Sequence, residues 1–314
     1  MEWSGYRWRA IWSKLYHRPL EETFHEFILN LLRWVLGESW RQIQAAAAPD
    51  QQHIVYQWFQ SYSAWKKANR SDANRDGNRW AAPSSGHVLA LHQLAWDMYC
   101  LQIINRLPDF MHEKLRDKAQ FQGVRYEIAV AAMIARAGFE ITFLDDLVKN
   151  KRHCEFIAKH KDTGIQIGVE AKSRRRKGVL NEVGQVPHEG YNKGDVWGLL
   201  KKALTQKPEN LPYIIFIDVN LPATPQIPWA ERQWVKDAQS MLIGIEPQDN
   251  ARDLHNAVAL TNFASYYSGN EEVPPNGEYV LAVTKQPEHP LPGPEVLDGI
   301  WHSLSAYPVI PDEV

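Results

Sequence analysis

Short apolar runs bounded by turn residues fill the middle of the chain, and this pattern indicates strands rather than helices. The runs 154–159 and 165–169 flank the turn-rich stretch 160–164, so together they predict an antiparallel hairpin. A third run, 213–219, is apolar almost throughout, as expected for a strand buried on both faces of an α/β sheet. Further strands are predicted at 256–261 and 278–284. The pattern therefore predicts a sheet with the strand 213–219 near its centre.

Apolar residues recur at helical spacing in the segments before and between these strands. One predicted helix contains Glu127 and ends at Gly138, a residue that readily adopts the left-handed conformation of a helix cap. The other helices are predicted at 21–44, 87–107, 108–120, 195–206, 229–244 and 294–305. Because helices and strands alternate through the last two thirds of the chain, the predicted fold class is α/β (α+β), with helices flanking a central sheet.

Composition divides the 314 residues into two predicted domains. Nine of the thirteen tryptophans lie between Trp3 and Trp96, so we expect residues 1–118 to form a helical, Trp-rich domain. Within it, 66–86 is rich in Asn, Asp, Arg, Ser and Gly, which predicts a long polar loop. Exposed tryptophans of this domain could stack on the bases of a nucleic acid, although aromatic residues at helical spacing more often pack in a core. Residues 119–314 are expected to form the second domain.

Charge and cysteine content narrow the class of protein. The sequence has no apolar run of bilayer length, no leader pattern and only two cysteines, so we expect a cytoplasmic protein without a membrane segment. Glycine-rich phosphate loops and zinc-type Cys/His spacing do not occur in it either. With a net charge of -2, any binding of nucleic acid must come from a local cluster of basic residues.

Such a cluster begins directly after the second strand of the predicted hairpin. Between Glu170 and Lys207, nine basic residues stand against four acidic ones. Cations in this place can contact phosphates and position a nucleic acid without reading its sequence. The predicted nucleic-acid-binding residues are Arg174, Arg175, Arg176, Lys177, Lys201 and Lys202. The alternative interpretation is a solvated basic surface.

The register of the hairpin follows from burial, because a slip of one residue would turn every side chain to the other face. One register gives a continuous apolar face, and its pairs are His160 with Ile165, Ala158 with Ile167, and Phe156 with Val169. The same register sets Glu155 opposite Glu170. Directly opposed carboxylates repel each other at a Cβ separation of about 5 Å, so we expect a cation between them.

The chemistry of the paired carboxylates favours a divalent metal. Mg²⁺ prefers carboxylate oxygens, keeps several waters and binds through one or two protein carboxylates together with the phosphate of a substrate. Lys172 projects to the same face as Glu170, because side chains two positions apart on a strand point to one side. Its ammonium could steady an attacking hydroxide or the charge that develops on phosphorus. The pattern thus predicts a metal-dependent phosphodiesterase site.

These residues resemble the motif of the PD-(D/E)XK nuclease superfamily, the restriction endonuclease-like family, over roughly residues 121–221. In that family a helical glutamate precedes a hairpin that carries one acid on its first strand and acid-x-Lys on the next. Glu127 matches the helical glutamate, Glu155 the first acid, and Glu170 with Lys172 the second half of the motif. Ala171 matches the position whose backbone carbonyl often adds a metal ligand.

The resemblance implies a restriction endonuclease-like core with a mixed sheet flanked by helices. It also implies Mg²⁺, or Mn²⁺ in its place, bound by Glu155, Glu170 and Ala171, with Glu127, Glu155, Glu170 and Lys172 as catalytic residues. DNA is the expected substrate by analogy with the family, in restriction, repair or antiphage defence, although the sequence does not separate DNA from RNA. The resemblance also leaves open that the N-terminal domain binds a protein partner and that the chain forms a homo-oligomer.

One departure from the family leaves alternatives open. The family usually has Pro-Asp where this chain has Cys154-Glu155, and the extra methylene moves the carboxylate by more than an ångström. A catalytically inactive protein that keeps the fold for nucleic-acid binding or assembly is therefore the second hypothesis. A third treats Glu170 and Lys172 as an ordinary salt bridge. Asp145 and Asp146 are an alternative source of the first acid, although aspartates there more often end a strand.

Overall fold

The computed structural model describes residues 1–11, 13–77, 79–104, 107–144, 153–186, 193–244, 252–273 and 277–313. The chain forms two compact units. The first comprises Met1–Phe121, Ser265–Asn276 and Pro308–Val314, and the second comprises Gln122–Ala264 and Gly277–Tyr307. The main division thus falls close to the predicted one at 118/119, but the two later segments of the first unit had no counterpart in the sequence analysis.

The first unit begins with strands, which the sequence analysis did not predict. An antiparallel sheet is formed by β1 (Glu2–Trp3), β2 (Tyr6–Ile11) and β3 (Lys14–Pro19), in that order. The alternation of aromatic residues and arginines in 6–9 was the signal that could have revealed it. The predicted helix 21–44 is two helices, α1 (Phe24–Leu36) and α2 (Glu38–Ala46), because Gly37 between them has a φ of 87°.

Helices make up most of the rest of this unit. They are α3 (Ile54–Asn69), α4 (Gly86–Ile104) and α5 (Asp109–Arg116). The stretch predicted to be a polar loop contains the end of α3 and a short ladder of β4 (Arg75–Asp76) and β5 (Arg79–Trp80). Large aromatic side chains such as Phe24, Trp58 and Tyr99 are fully buried, as expected for aromatic residues at helical spacing.

The second unit is a mixed α/β structure. It begins with α6 (Phe121–Arg136), after which Gly138 has a φ of 93°, the left-handed conformation predicted for a helix cap. In the described part of the chain, one sheet contains six strands: β6 (Phe139–Phe143), β7 (Phe156–His160), β8 (Gln166–Ser173), β9 (Tyr213–Asp218), β10 (Ala257–Asn262) and β11 (Glu278–Val283). The flanking helices are α7 (Trp197–Leu204), α8 (Gln233–Gly244) and α9 (Glu295–Ser305).

The strand order is β11-β10-β9-β8-β7-β6, which confirms a mixed sheet with β9 in its interior. The pairs β8/β9 and β9/β10 are parallel, and the remaining pairs are antiparallel. Every residue of β9 is buried, as its apolar sequence predicted. The carboxyl ends of β8 and β9 lie side by side, because Ser173 is paired with Asp218.

Helices cover both faces of the sheet. On one face Ile215 and Ile217 share a core with Leu200 of α7 and Trp234 of α8. On the other face α6 is anchored by Tyr126, whose hydroxyl lies 2.7 Å from the hydroxyl of Thr261 on β10. Within the ranges that the structure describes, no helix combines the length and apolar character needed to cross a bilayer.

Candidate active site

The hairpin of β7 and β8 has the register predicted from burial. Phe156 is opposite Val169 and Ala158 is opposite Ile167. At the turn, the His160 N–H donates to the Ile165 carbonyl over 2.8 Å. Glu155 directly precedes β7 and continues this register toward Glu170 on β8.

Lys172 joins the two carboxylates of the predicted pair. Its Nζ donates to Oε1 of Glu155 over 2.7 Å and forms an ion pair with Oε1 of Glu170. Strand alternation explains the geometry, because Glu170 and Lys172 are two positions apart on β8 and project to one side. The Glu155 and Glu170 side chains therefore lie on the same side of the sheet, close enough to contact a single cationic atom.

Glu170 is the member of this group whose charge is most costly to bury. Its side chain is 0% exposed, against 14% for Lys172 and 18% for Glu155. Apart from Lys172, the partner of Glu170 within the described part of the chain is the backbone N–H of Glu155, whose hydrogen bond is not well formed. Burial raises the pKa of Glu170 to about 8, with Lys172 opposing this rise and the charge of Glu155 adding to it. Glu170 is therefore the carboxyl of the pair that burial makes harder to ionise.

The electrostatics of Lys172 are set by the same two acids. Burial alone would lower the pKa of Lys172, but the carboxylates of Glu155 and Glu170 outweigh it and hold the pKa above its usual value. The lysine is thus a permanent cation at the place where opposed carboxylates need one. It is also a group that can donate hydrogen bonds to an anion in the same place.

The donor set is chemically suited to a hard divalent cation, although it is small. Glu155 and Glu170 supply carboxylate oxygens, and the underused oxygens of Glu170 are the kind that a metal satisfies. Among the residues described by the structure, no group of three or more His, Cys, Asp or Glu side chains is arranged to hold a metal. A metal here would therefore keep several waters, as Mg²⁺ commonly does. Ala171, the third predicted ligand, lies between Glu170 and Lys172 and pairs with Phe216 of β9.

Glu127 is placed differently from the other three predicted catalytic residues. It is half-buried on α6, and its Oε1 lies 3.7 Å from where a Cβ on Gly123 would be, one turn earlier in the helix. Its helix packs on the face of Thr261, whereas Glu170 and Lys172 share their face with Ile215 and Ile217, their register partners. The structure therefore brings Glu155, Glu170 and Lys172 together and places Glu127 on the helix of the opposite face.

The basic run after β8 is largely engaged with the chain itself. Arg174 pairs with Asp195 over 2.9 Å, and the Nε of Arg175 donates to Glu182 over 2.7 Å. Arg176 is only 5% exposed, and this burial argues against the predicted phosphate contact. The burial has a physical reason, because backbone carbonyls and a carboxylate of the same unit bind its guanidinium.

The three predicted lysines differ from Arg176 in exposure. Lys177, Lys201 and Lys202 are all exposed, and Lys201 lies with its Nζ 4.9 Å from the ring centroid of Trp197. Exposed ammonium groups remain available for phosphate contacts, with the salt dependence that such contacts have. The exposed positive charge among the predicted residues thus comes from these lysines and from Arg175, which is paired with Glu182.

A second polar group at the same strand ends was missed by the sequence analysis. Asp218 is 0% exposed, pairs with Arg125 of α6 over 2.9 Å and accepts from the Ser173 hydroxyl over 3.2 Å. The backbone N–H of Asn220 donates to its other oxygen over 3.2 Å. The available signal was a polar Asp-x-Asn at the end of an otherwise apolar central strand, where α/β sheets carry their functional groups.

Comparisons with known proteins assign neither a family nor a function to the chain. No protein-family model, curated protein or solved structure matched the chain. Asp145 and Asp146, the alternative source of the first acid, lie outside the described residues. The functional interpretation therefore depends on the chemistry of the Glu155, Lys172 and Glu170 side chains.

Proposed function

We propose that the second unit is a metal-dependent nuclease with a restriction endonuclease-like PD-(D/E)XK core. The observation that carries the proposal is the contact of one ammonium, Lys172, with two carboxylates, Glu155 and Glu170, at the end of a buried hairpin. An ordinary surface salt bridge does not account for a fully buried glutamate whose pKa is raised to about 8. Perturbed carboxylates of this kind are typical of catalytic sites.

Each residue of the group has a distinct role in this proposal. Glu155 and Glu170 would hold Mg²⁺, or Mn²⁺ in its place, with both carboxyls ionised. When bound, the metal would supply polarisation of the phosphodiester and a water of lowered pKa. The ammonium of Lys172 would orient the attacking water or stabilise the negative charge that develops on the phosphate. A catalytic contribution of Glu127 stays a prediction.

The proposed substrate is DNA, by the family resemblance rather than by a feature of the site. The exposed Lys177, Lys201 and Lys202 offer positive charge for its phosphates. Contacts of this kind position a duplex without reading its bases, so they predict no sequence preference by themselves. RNA is the natural comparison substrate in any assay.

The test is metal-dependent cleavage of labelled DNA by wild-type protein and by Lys172→Ala. We expect cleavage by wild type with Mg²⁺ or Mn²⁺, none in EDTA, and a rate at least about 100-fold lower for Lys172→Ala. Lys159→Ala is the matched control, because Lys159 is an exposed lysine of the neighbouring strand β7. It should cleave like wild type. If wild type cleaves none of the duplex, single-stranded and branched substrates with either metal, the proposed nuclease activity is refuted.

A second candidate function is a nucleic-acid-binding or assembly protein that has lost catalysis. It is favoured by the substitution of Glu155 for the usual aspartate and by the ion pairs that hold Lys172 between the two carboxylates. On this hypothesis Lys172 is the cation that the opposed carboxylates require, and no metal is needed. Binding of DNA without cleavage, at equal affinity for wild type and Lys172→Ala, would support this function.

A further inference from the structure

The side chain of Arg176 ties three parts of the second unit together. Its Nε donates to the Asn220 carbonyl over 3.2 Å, and its Nη2 donates to the Val219 carbonyl over 3.0 Å, both just beyond β9. The same Nη2 lies 3.4 Å from the Lys193 carbonyl and 2.8 Å from Oδ1 of Asp195, in the segment before α7. The guanidinium thus links the segment after β8 to the end of β9 and to the approach to α7.

The side chain of Gln122 forms hydrogen bonds with the backbone of the segment that contains Arg176. Its Nε2 donates to the carbonyls of Arg176 and Val179 over 2.7 and 2.8 Å, and its Oε1 accepts from the Arg176 N–H over 3.0 Å. The Asn220 side chain donates to the Arg174 carbonyl over 2.9 Å and lies 3.3 Å from the Gln122 oxygen. Gln122, Arg176 and Asn220 are each at most 5% exposed. We call these three residues the polar clamp.

Burying a guanidinium and two amides is costly unless every partner is in place. Here the guanidinium binds the chain beyond β9 and before α7, while both amides bind the backbone of one stretch, 174–179. That stretch begins two residues after Lys172, whose carboxylate partners form the proposed site. We infer that Arg176 is a positioning residue, which fixes the chain after β8 and so the direction in which Lys172 presents its ammonium group. The inference rests on the proposed function, because it concerns how that site is held.

The clamp divides the basic run into two kinds of residue. Arg176 is buried and bound, so it holds the segment without contacting substrate. Lys177, Lys201 and Lys202 are exposed, so they are the residues that meet phosphates. Asp195, which Arg176 pairs with, lies two residues before α7, the helix that carries Lys201 and Lys202. Arg176 therefore acts on the backbone next to the proposed site, whereas the exposed lysines act on the phosphates of the substrate.

The test compares Arg176→Lys, which keeps the charge, with Lys177→Gln, which removes an exposed one. Binding of a labelled DNA duplex is measured in EDTA over a range of salt concentrations, and single-turnover cleavage is measured with Mn²⁺. For Lys177→Gln we expect the magnitude of the slope of log affinity against log salt to fall by about 0.9, because one phosphate contact is lost. For Arg176→Lys we expect an unchanged salt slope and a cleavage rate about 100-fold lower, the typical result of misplacing catalytic groups.

Hydrogen exchange of the free protein separates this inference from the proposed function. Arg176→Lys should raise the exchange rates of amides in 174–179, whereas Lys177→Gln should not. If wild type neither binds nor cleaves DNA, the proposed function fails. Independently of that result, unchanged exchange rates of the amides in 174–179 of Arg176→Lys would overturn the inference about Arg176. A salt slope that falls in Arg176→Lys would show a phosphate contact and overturn it too. Should Arg176→Lys not fold, Asp195→Asn removes the half-exposed partner and should raise the same exchange rates.

Discussion

Two buried carboxyl groups lie near the carboxyl ends of β8 and β9, and they differ in how many hydrogen-bond partners they have. Glu170 and Asp218 are both 0% exposed. Glu170 shares the face of Ile215, its partner on β9, whereas Asp218 shares the face of Ser173, its partner on β8. Strand alternation therefore puts them on opposite faces of the same sheet, a few residues apart.

Their hydrogen bonding is the main difference. Asp218 is bound by Arg125, by the Ser173 hydroxyl and by the backbone N–H of Asn220. Burial raises the pKa of Asp218, but Arg125 and these hydrogen bonds act against the rise. Glu170 has the ion pair with Lys172 and a poorly formed hydrogen bond from the Glu155 backbone N–H, so within the described part of the chain it is bound less fully than Asp218.

The comparison distinguishes structural from functional burial. A carboxylate whose hydrogen-bonding capacity is filled holds its neighbours in place, as Asp218 holds α6 through Arg125. A carboxylate left short of partners costs stability, and proteins retain such groups where a ligand completes them. The two faces of one sheet end thus separate into a supporting face and a reactive face. Four predictions test this distinction.

The largest expected effect is on the supporting face. Asp218→Asn removes the carboxylate that pairs with the buried guanidinium of Arg125, so we expect the free energy of unfolding to fall by about 3 to 5 kcal/mol. Urea denaturation monitored by tryptophan fluorescence measures it. Glu140→Gln, at an exposed position of β6, is the control and should change stability by less than about 0.5 kcal/mol. A loss below about 1 kcal/mol for Asp218→Asn would contradict the supporting role.

On the reactive face the same kind of change should act on activity instead. Glu170→Gln keeps the shape of the side chain but removes a proposed metal ligand, so we expect the cleavage rate to fall by about 100- to 1000-fold. Its stability at pH 8 should not fall, because a neutral amide no longer has to be buried as an ion. The two are measured by single-turnover cleavage and by urea denaturation. A strongly destabilised Glu170→Gln would place Glu170 with Asp218 as a structural residue.

The reactive face could be predicted from the sequence because its geometry is local. Glu155, Glu170 and Lys172 lie on one hairpin, and a single choice of register, fixed by the apolar pairs, brings them together. The buried strand β9 was predicted for a similar reason, since a run of apolar residues is a local signal. Glu127 shows the limit, because its place on a helix was predictable but the face that the helix covers was not.

The supporting face could not be predicted because its partners are far apart in the sequence. Arg125 meets Asp218, and Gln122 meets Arg176, across long stretches of chain, and no periodicity connects them. Arg176 was grouped with its exposed neighbours since a run of basic residues looks uniform in sequence. Only the tertiary fold shows that one member of the run points inward to backbone carbonyls.

The third prediction concerns the pH dependence of stability. The pKa of Glu170 is raised by burial to about 8 in the folded protein, above the value of 4.5 for a free glutamate. The stability that comes with its bound proton is therefore present at low pH and is lost as pH rises from about 4.5 through 8. Relative to Glu170→Gln, wild type should lose about 3 to 4 kcal/mol between pH 5 and pH 8. Parallel stability curves for the two proteins would contradict a raised pKa.

The smallest expected effect comes from Glu155, the more exposed carboxylate of the pair. Its charge helps to raise the pKa of Glu170, so Glu155→Gln should lower the titration midpoint of Glu170 by about one pH unit, measured by NMR of ¹³C-labelled glutamate carboxyls. Stability should change by less than about 1 kcal/mol, because Lys172 keeps its ion pair with Glu170. Glu140→Gln, on β6, is again the control. An unchanged midpoint would mean that burial alone sets the pKa of Glu170, and the two carboxylates would then be too weakly coupled to act as one metal-binding pair.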